Sequence, residues 1–172
     1  MIIAAIARCA CFFLWMGLLA SATGAQAMPD TNPLPDASPA ATAAATDAVR
    51  EVLQRYAAAW RRGDMLAIVD AYHAQFTLNY PGTHALAGRH VGKARALQVL
   101  AEFGRRTDRR LEEVIAVMAG PERGALLVRE SIGPASRRIA VERLFVYTVQ
   151  DGKLKECWVF DADPAEIARL LQ

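Results

Sequence analysis

The sequence predicts an α+β domain in which three helices precede an antiparallel meander and a short helix closes the chain. Three observations carry this reading. Apolar residues recur at helical spacing between Val49 and Trp60. Beyond about residue 110 the period becomes that of strands, with "GPERG", "GPAS" and "QDG" as turn signals between them. Asp163, Pro164 and Glu166 then supply a cap, a first-position proline and a carboxylate three residues after the cap.

Each element follows from its own residues. Val49, Val52, Leu53, Tyr56 and Trp60 give the first helix one apolar face, and Gly63 stops it. Asp64 can cap a shorter second helix carrying Leu66, Ile68, Val69 and Tyr72. "FTLNYPG" reads as a short strand broken by Pro81, and "THALAGRH" as a loop. A third helix carries Ala94, Leu97, Leu100 and Ala101 on one side. Strands are expected near Leu111–Met118, Ala125–Ile132, Arg138–Val149 and Leu154–Phe160.

The domain is expected to occupy residues 47–172, behind two segments of different character. Residues 1–27 read as an export signal: Arg8 is their only charge, Cys9 to Ala22 is almost wholly apolar, and Ala25 and Ala27 flank Gln26 as a peptidase site requires. The apolar run is shorter than the roughly 20 residues a bilayer demands, which favours cleavage over an uncleaved anchor. The expectation is a periplasmic or secreted protein with no membrane attachment after cleavage. Residues 28–46, rich in Pro, Ala and Thr, read as a disordered tether because they can bury too little to offset their ordering entropy.

Charge and cysteine content exclude several functions. Of 20 basic and 18 acidic residues, only Arg8 leaves with the signal, so the remainder stands at 19 against 18. Near-neutrality gives no electrostatic case for nucleic acid or an anionic membrane surface. Cys9 and Cys11 also leave, so Cys157 has no internal disulfide partner and reads as a buried thiol, with a reactive or intermolecular cysteine as the alternative. His73, His84 and His90 lie 11 and 6 residues apart, which is no metal-ligand spacing. No phosphate-binding glycine loop and no Ser or Cys nucleophile motif is present, and no cofactor or metal is expected.

The order of "VLQRYAAAWRRGDM", "YPGTHALAG" and "VYTVQDGKLKECWVFD" resembles the SnoaL-like families of the nuclear transport factor 2-like superfamily, over about Val49 to Leu171. The resemblance implies a cone-shaped, curved antiparallel sheet wrapped around a cavity that the helices close. Its members include ketosteroid isomerases, epoxide hydrolases, polyketide cyclases and proteins without catalysis, so fold alone names no reaction. The isomerase, a worked example of an Asp base with a Tyr and protonated Asp as oxyanion donors, maps partly: Tyr56 falls at the donor tyrosine. Tyr80 falls at the base and is poorly suited to it, and Leu144 replaces the second donor. Asn79 matches a water-holding Asn of the limonene-type epoxide hydrolases, but Thr77, Glu130, Ile132 and Val159 do not complete that site.

The carboxylate of interest is Asp161 in "CWVFDADP", since Asp163 already has a cap to make. An ungapped alignment turns Cys157, Val159 and Asp161 into the cavity and Trp158 and Phe160 outward. SnoaL-type cyclases place a catalytic Asp near this point, so Asp161 as acid or base and Tyr56 as oxyanion donor form one reading. The other is a non-catalytic ligand-binding or interaction module in which Asp161 ends the strand or pairs with an arginine. The same alignment turns Leu127, Arg129, Ser131, Glu142, Leu144 and Val146 inward, where Arg129 and Glu142 could receive a polar ligand group or form a buried ion pair. With Asn79, Tyr80, His84 and Trp60 these complete the candidate contacts of a small-molecule ligand. The outward set of Phe145, Tyr147, Trp158 and Phe160 suggests a homodimer through the sheet, or packing under the last helix.

Overall fold

The computed structural model describes residues 38–172. The expected signal, residues 1–27, and the first part of the tether lie outside the described residues. The rest of the tether does not behave as expected. Helix α1 spans Pro39–Arg62, so residues 39–46 are helical and mostly exposed. The reason is local: "PAATAAAT" is rich in the strongest helix former, Pro39 sits at the first turn, and the segment extends a helix already nucleated by its buried face.

That face presents Val49, Val52, Leu53 and Tyr56 to the sheet. Gly63 ends α1 at φ 65°, donating its N–H to the Trp60 carbonyl. Asp64 caps α2, Met65–Ala71, by accepting the Ala67 N–H at 3.0 Å. Helix α3, Lys93–Thr107, has two apolar faces rather than one: Ala96, Val99 and Phe103 are buried, while Leu97, Leu100 and Ala101 border a cavity. Helix α4, Pro164–Leu170, starts as expected, with Asp163 accepting the Glu166 N–H at 2.9 Å. None of the described helices is long and apolar enough to cross a membrane.

Six strands form one curled, open sheet in the order β2-β1-β6-β5-β4-β3: β1 Tyr72–Tyr80, β2 Gly88–Val91, β3 Arg110–Ala119, β4 Arg123–Ile132, β5 Ile139–Gln150 and β6 Lys153–Asp161. The meander β3 to β6 is antiparallel as expected, but β1 joins β6 in parallel. The stretch "THALAGRH" is only partly loop, since its end enters β2 and pairs with β1. Asp151 (φ 52°) and Gly152 (φ 69°) make the β5–β6 turn, both in the left-handed region that a two-residue hairpin of matching twist requires. At Gly124 the helix and sheet approach so closely that a Cβ would stand 2.4 Å from Leu53 Cδ1 and 2.6 Å from the Met118 carbonyl. A glycine there lets α1 lie against β4.

One irregularity sets the faces of the sheet. Counted back from the Asp151-Gly152 turn, a regular hairpin would pair Asp161 with Glu142. Instead Val149 pairs with Leu154 and Thr148 with Glu156, so Lys155 is an extra residue in β6. Beyond this bulge the partners are Tyr147 with Cys157, Phe145 with Val159 and Arg143 with Asp161. A one-residue change of register moves every side chain to the other face.

Candidate functional site

Cys157, Val159 and Asp161 point into the cone as expected, and Trp158 and Phe160 point out, 41% and 45% exposed. The neighbours of β6 do not follow the ungapped reading. The inward residues of β5 are Val141, Arg143, Phe145 and Tyr147, and those of β4 include Leu126, Val128 and Glu130. Glu142, Leu144 and Val146 therefore lie on the convex face, and Phe145 and Tyr147 lie inside. Arg129 also faces out, donating to Glu113 at 2.8 Å and Glu142 at 2.9 Å. Its pairing with Glu142 is real, but it is a surface contact rather than a pocket.

Arg143 is the residue the sequence reading missed. Its side chain is 2% exposed, and its guanidinium donates from Nε to Asp161 Oδ1 at 2.6 Å, from Nη1 to Glu130 Oε2 at 2.9 Å and from Nη2 to the Tyr80 hydroxyl at 2.8 Å. Tyr80 in turn donates its hydroxyl hydrogen to Asp161 Oδ2 at 3.0 Å. The Phe103 ring covers the guanidinium at 4.3 Å and Phe145 at 5.1 Å. Burial, reinforced by the Asp161 and Glu130 charges and opposed by Arg143, holds the Tyr80 phenol well above its usual range, so it remains a donor. Burial by itself would lower the Arg143 pKa, but Glu130, Tyr80 and Asp161 more than offset it and keep the guanidinium charged. Both Asp161 oxygens are thus engaged. A signal for Arg143 was present in the sequence: it is the one charge on the phase of β5 that carries Val141, Phe145 and Tyr147.

The other candidate contacts separate. Asn79 shares the convex side with its β-partner Trp158 and donates to Glu156 Oε1 at 2.7 Å, so it does not enter the cone. His84 is buried against Tyr80, ring centroids 4.4 Å apart, rather than at an open cavity mouth. Its Nδ1 accepts the Leu86 N–H at 3.2 Å, and burial lowers its pKa. Cys157 is buried beside its strand partner Tyr147, and burial pushes its thiol up to about 12, in keeping with a buried thiol.

Tyr56 and Trp60 belong to a different place. They border a cavity of about 530 Å³ between α1, α2, α3 and the start of β3, together with Tyr72, Ile68, Leu97, Leu100 and Leu111. The Tyr56 and Tyr72 hydroxyls lie 2.6 Å apart. Burial raises the pKa of both and keeps them protonated; one donates to the other, which leaves a single hydroxyl hydrogen of the pair for a further acceptor. Asp161 is not on this wall; it borders a 190 Å³ depression that also touches Leu144 and Phe160 on the convex side. The pocket reaches the buried charges through Arg109, whose Nη1 stands 3.5 Å from Glu130 Oε1. The structure therefore brings Tyr56 and Trp60 to one cavity and Asp161 and Tyr80 to another cluster.

Comparison with known proteins agrees with this architecture. The family model described as SnoaL-like domain matches residues 53–157. Bal32a from a soil-derived mobile gene cassette superposes with a TM-score of 0.66 at 18% identity, covering 74% of this chain and 99% of its own. A nuclear transport factor 2-like protein from Burkholderia xenovorans gives 0.61 at 22% identity, over 74% of this chain and 98% of its own. TerC, co-crystallised with polyporic acid, gives 0.62 at 17% identity, over 72% of this chain and 98% of its own. Likenesses at these identities show a shared fold. No curated protein matches the chain in sequence.

Proposed function

This chain belongs to the SnoaL-like family, and from that footing we propose that its domain binds a small, mostly apolar organic molecule in the helix-covered pocket, without acid-base turnover by Asp161 and Tyr56. One observation carries the reading: both oxygens of Asp161 are fixed, on Arg143 and Tyr80, while the pocket that holds Tyr56 lies elsewhere. A general base must reach the proton it takes, and Asp161 would first have to leave a buried ion pair. The pocket itself suits binding. Its volume falls in the usual range for small-molecule sites, and its wall is aromatic and aliphatic with a few convergent polar groups.

The test is to fill the pocket. A Leu100→Trp variant should abolish the binding of small apolar compounds, read by isothermal titration calorimetry, while the domain stays folded. Binding that survives the filled pocket overturns this location. Catalysis would return as the better reading if a substrate were found whose turnover falls steeply in Asp161→Asn at unchanged stability.

Two companion proposals concern setting and assembly. Residues 1–27 support export to the periplasm or medium, and a mature N-terminus at Met28 is expected; a chain retaining Met1 overturns this. Trp158 and Phe160, exposed side by side on the convex face with Leu144 and Val146 between strands, support a homodimer through the sheet. Sedimentation should show a dimer that Trp158→Lys converts to monomer, and a monomeric parent protein overturns it.

A further inference from the structure

The charged side chains around the 530 Å³ pocket are Arg61, Arg62 and Arg109, and no carboxylate stands on its wall. Arg61 and Arg62 lie at the end of α1 and are committed weakly, Arg61 to the Val114 carbonyl at 3.4 Å and Arg62 to Asp64 at 3.8 Å. Arg109 is the inner one. Its side chain is 21% exposed, and its guanidinium lies over the Trp60 and Phe103 rings, 5.5 Å from each centroid. Two aromatic rings thus flank a cation at the pocket wall.

This cation is poorly satisfied. The guanidinium has five N–H donors, and among the described residues its hydrogen bonding is one contact, to Glu130 at 3.5 Å, at the weak limit of such bonds. The other oxygen of Glu130 takes Arg143 at the shorter distance of 2.9 Å, and Arg143 also holds Asp161. The two buried carboxylates are drawn toward Arg143, leaving Arg109 as the arginine with capacity to spare. Tyr56 and Tyr72, whose hydroxyls bond each other, border the same pocket.

We propose that the pocket is built for an organic acid, its apolar body against Trp60, Leu97, Leu100 and Leu111 and its ionised carboxylate on Arg109. A planar carboxylate matches the guanidinium fork, and the shielded, partly apolar setting strengthens that bond relative to one in water. The inference rests on the binding reading above and adds the charge of the ligand.

Matched probes separate the two. The full chain is titrated with 2-naphthoate and 2-naphthamide, and with decanoate and decanamide, pairs that differ in charge and little in shape. The carboxylate of each pair is expected to bind about tenfold to a hundredfold tighter than its amide, and Arg109→Gln should erase that preference while leaving amide binding in place. If Arg109→Gln does not fold, Arg109→Lys keeps the charge without the planar fork and should reduce the preference without removing it. Equal binding of acid and amide overturns the charge assignment and leaves the pocket a binding site. A preference that is unchanged in the variants overturns Arg109 as the seat. Binding of neither member of either pair overturns the binding reading and this one with it.

Discussion

Replacing Arg143 by Met tests whether the buried charges hold the domain together. The substitution removes three hydrogen bonds, to Asp161, Glu130 and Tyr80, at a side chain 2% exposed. Glu130, with 0% side-chain exposure, keeps only Arg109 at 3.5 Å, and Asp161, at 5%, keeps only the Tyr80 hydroxyl. Stranding buried charges in this way costs about 3–5 kcal/mol. With a urea slope of about 1–3 kcal/mol/M for a small domain, the unfolding midpoint should fall by roughly 2 M. The decisive comparison is the triple variant Glu130→Leu, Arg143→Met, Asp161→Leu, which removes all three charges and should recover most of the loss, since apolar replacement of a buried ion network is often neutral or stabilising. Arg109 survives the triple change because it borders the pocket and can hydrate there. A loss below about 1 kcal/mol in Arg143→Met would refute the argument that the cluster is dry and coupled, and a triple variant as unstable as the single one would refute the argument from stranded charge.

Three other outcomes are expected. Deleting Lys155 removes the bulge and should exchange the faces of β6 beyond it, so that cooperative unfolding and near-ultraviolet dichroism are lost; a native-like spectrum would show that register is set elsewhere. His84 has its pKa lowered by burial, so the stability it contributes is present above about 6.5 and is lost as pH falls through that value, at no more than about 1.4 kcal/mol per pH unit. Urea melts from pH 7.5 downward should therefore show an acid limb that becomes shallower in His84→Phe, and an unchanged limb counts against the assignment. The Cys157 thiol, raised to about 12, should resist iodoacetamide at pH 8 in the folded protein and react in urea, read on its own peptide by mass spectrometry. Equal labelling in both states would show that the site is open.

The sequence alone determined the elements that depend on near neighbours. The apolar face of α1, the caps at Asp64 and Asp163 and the Asp151-Gly152 turn are each decided within a few residues, and each stands where its pattern placed it. The resemblance carried the cone and the inward direction of Asp161. Helicity at residues 39–46 was also a local matter, but composition spoke there for disorder while alanine's propensity prevailed.

What the tertiary structure decided was phase and partnership. Glu142, Leu144, Val146 and Arg129 lie outside the cone because one extra residue at Lys155 re-registers β6 against β5, and both phases of β5 are apolar enough that neither pattern announces itself. Whether Asp161 is free or held depends on Arg143, 18 residues earlier in the chain, and on Glu130 and Tyr80 beyond it. A buried charge takes its chemistry from whatever stands within about 3 Å of it. Those neighbours come from three other strands, and only the folded sheet brings them together.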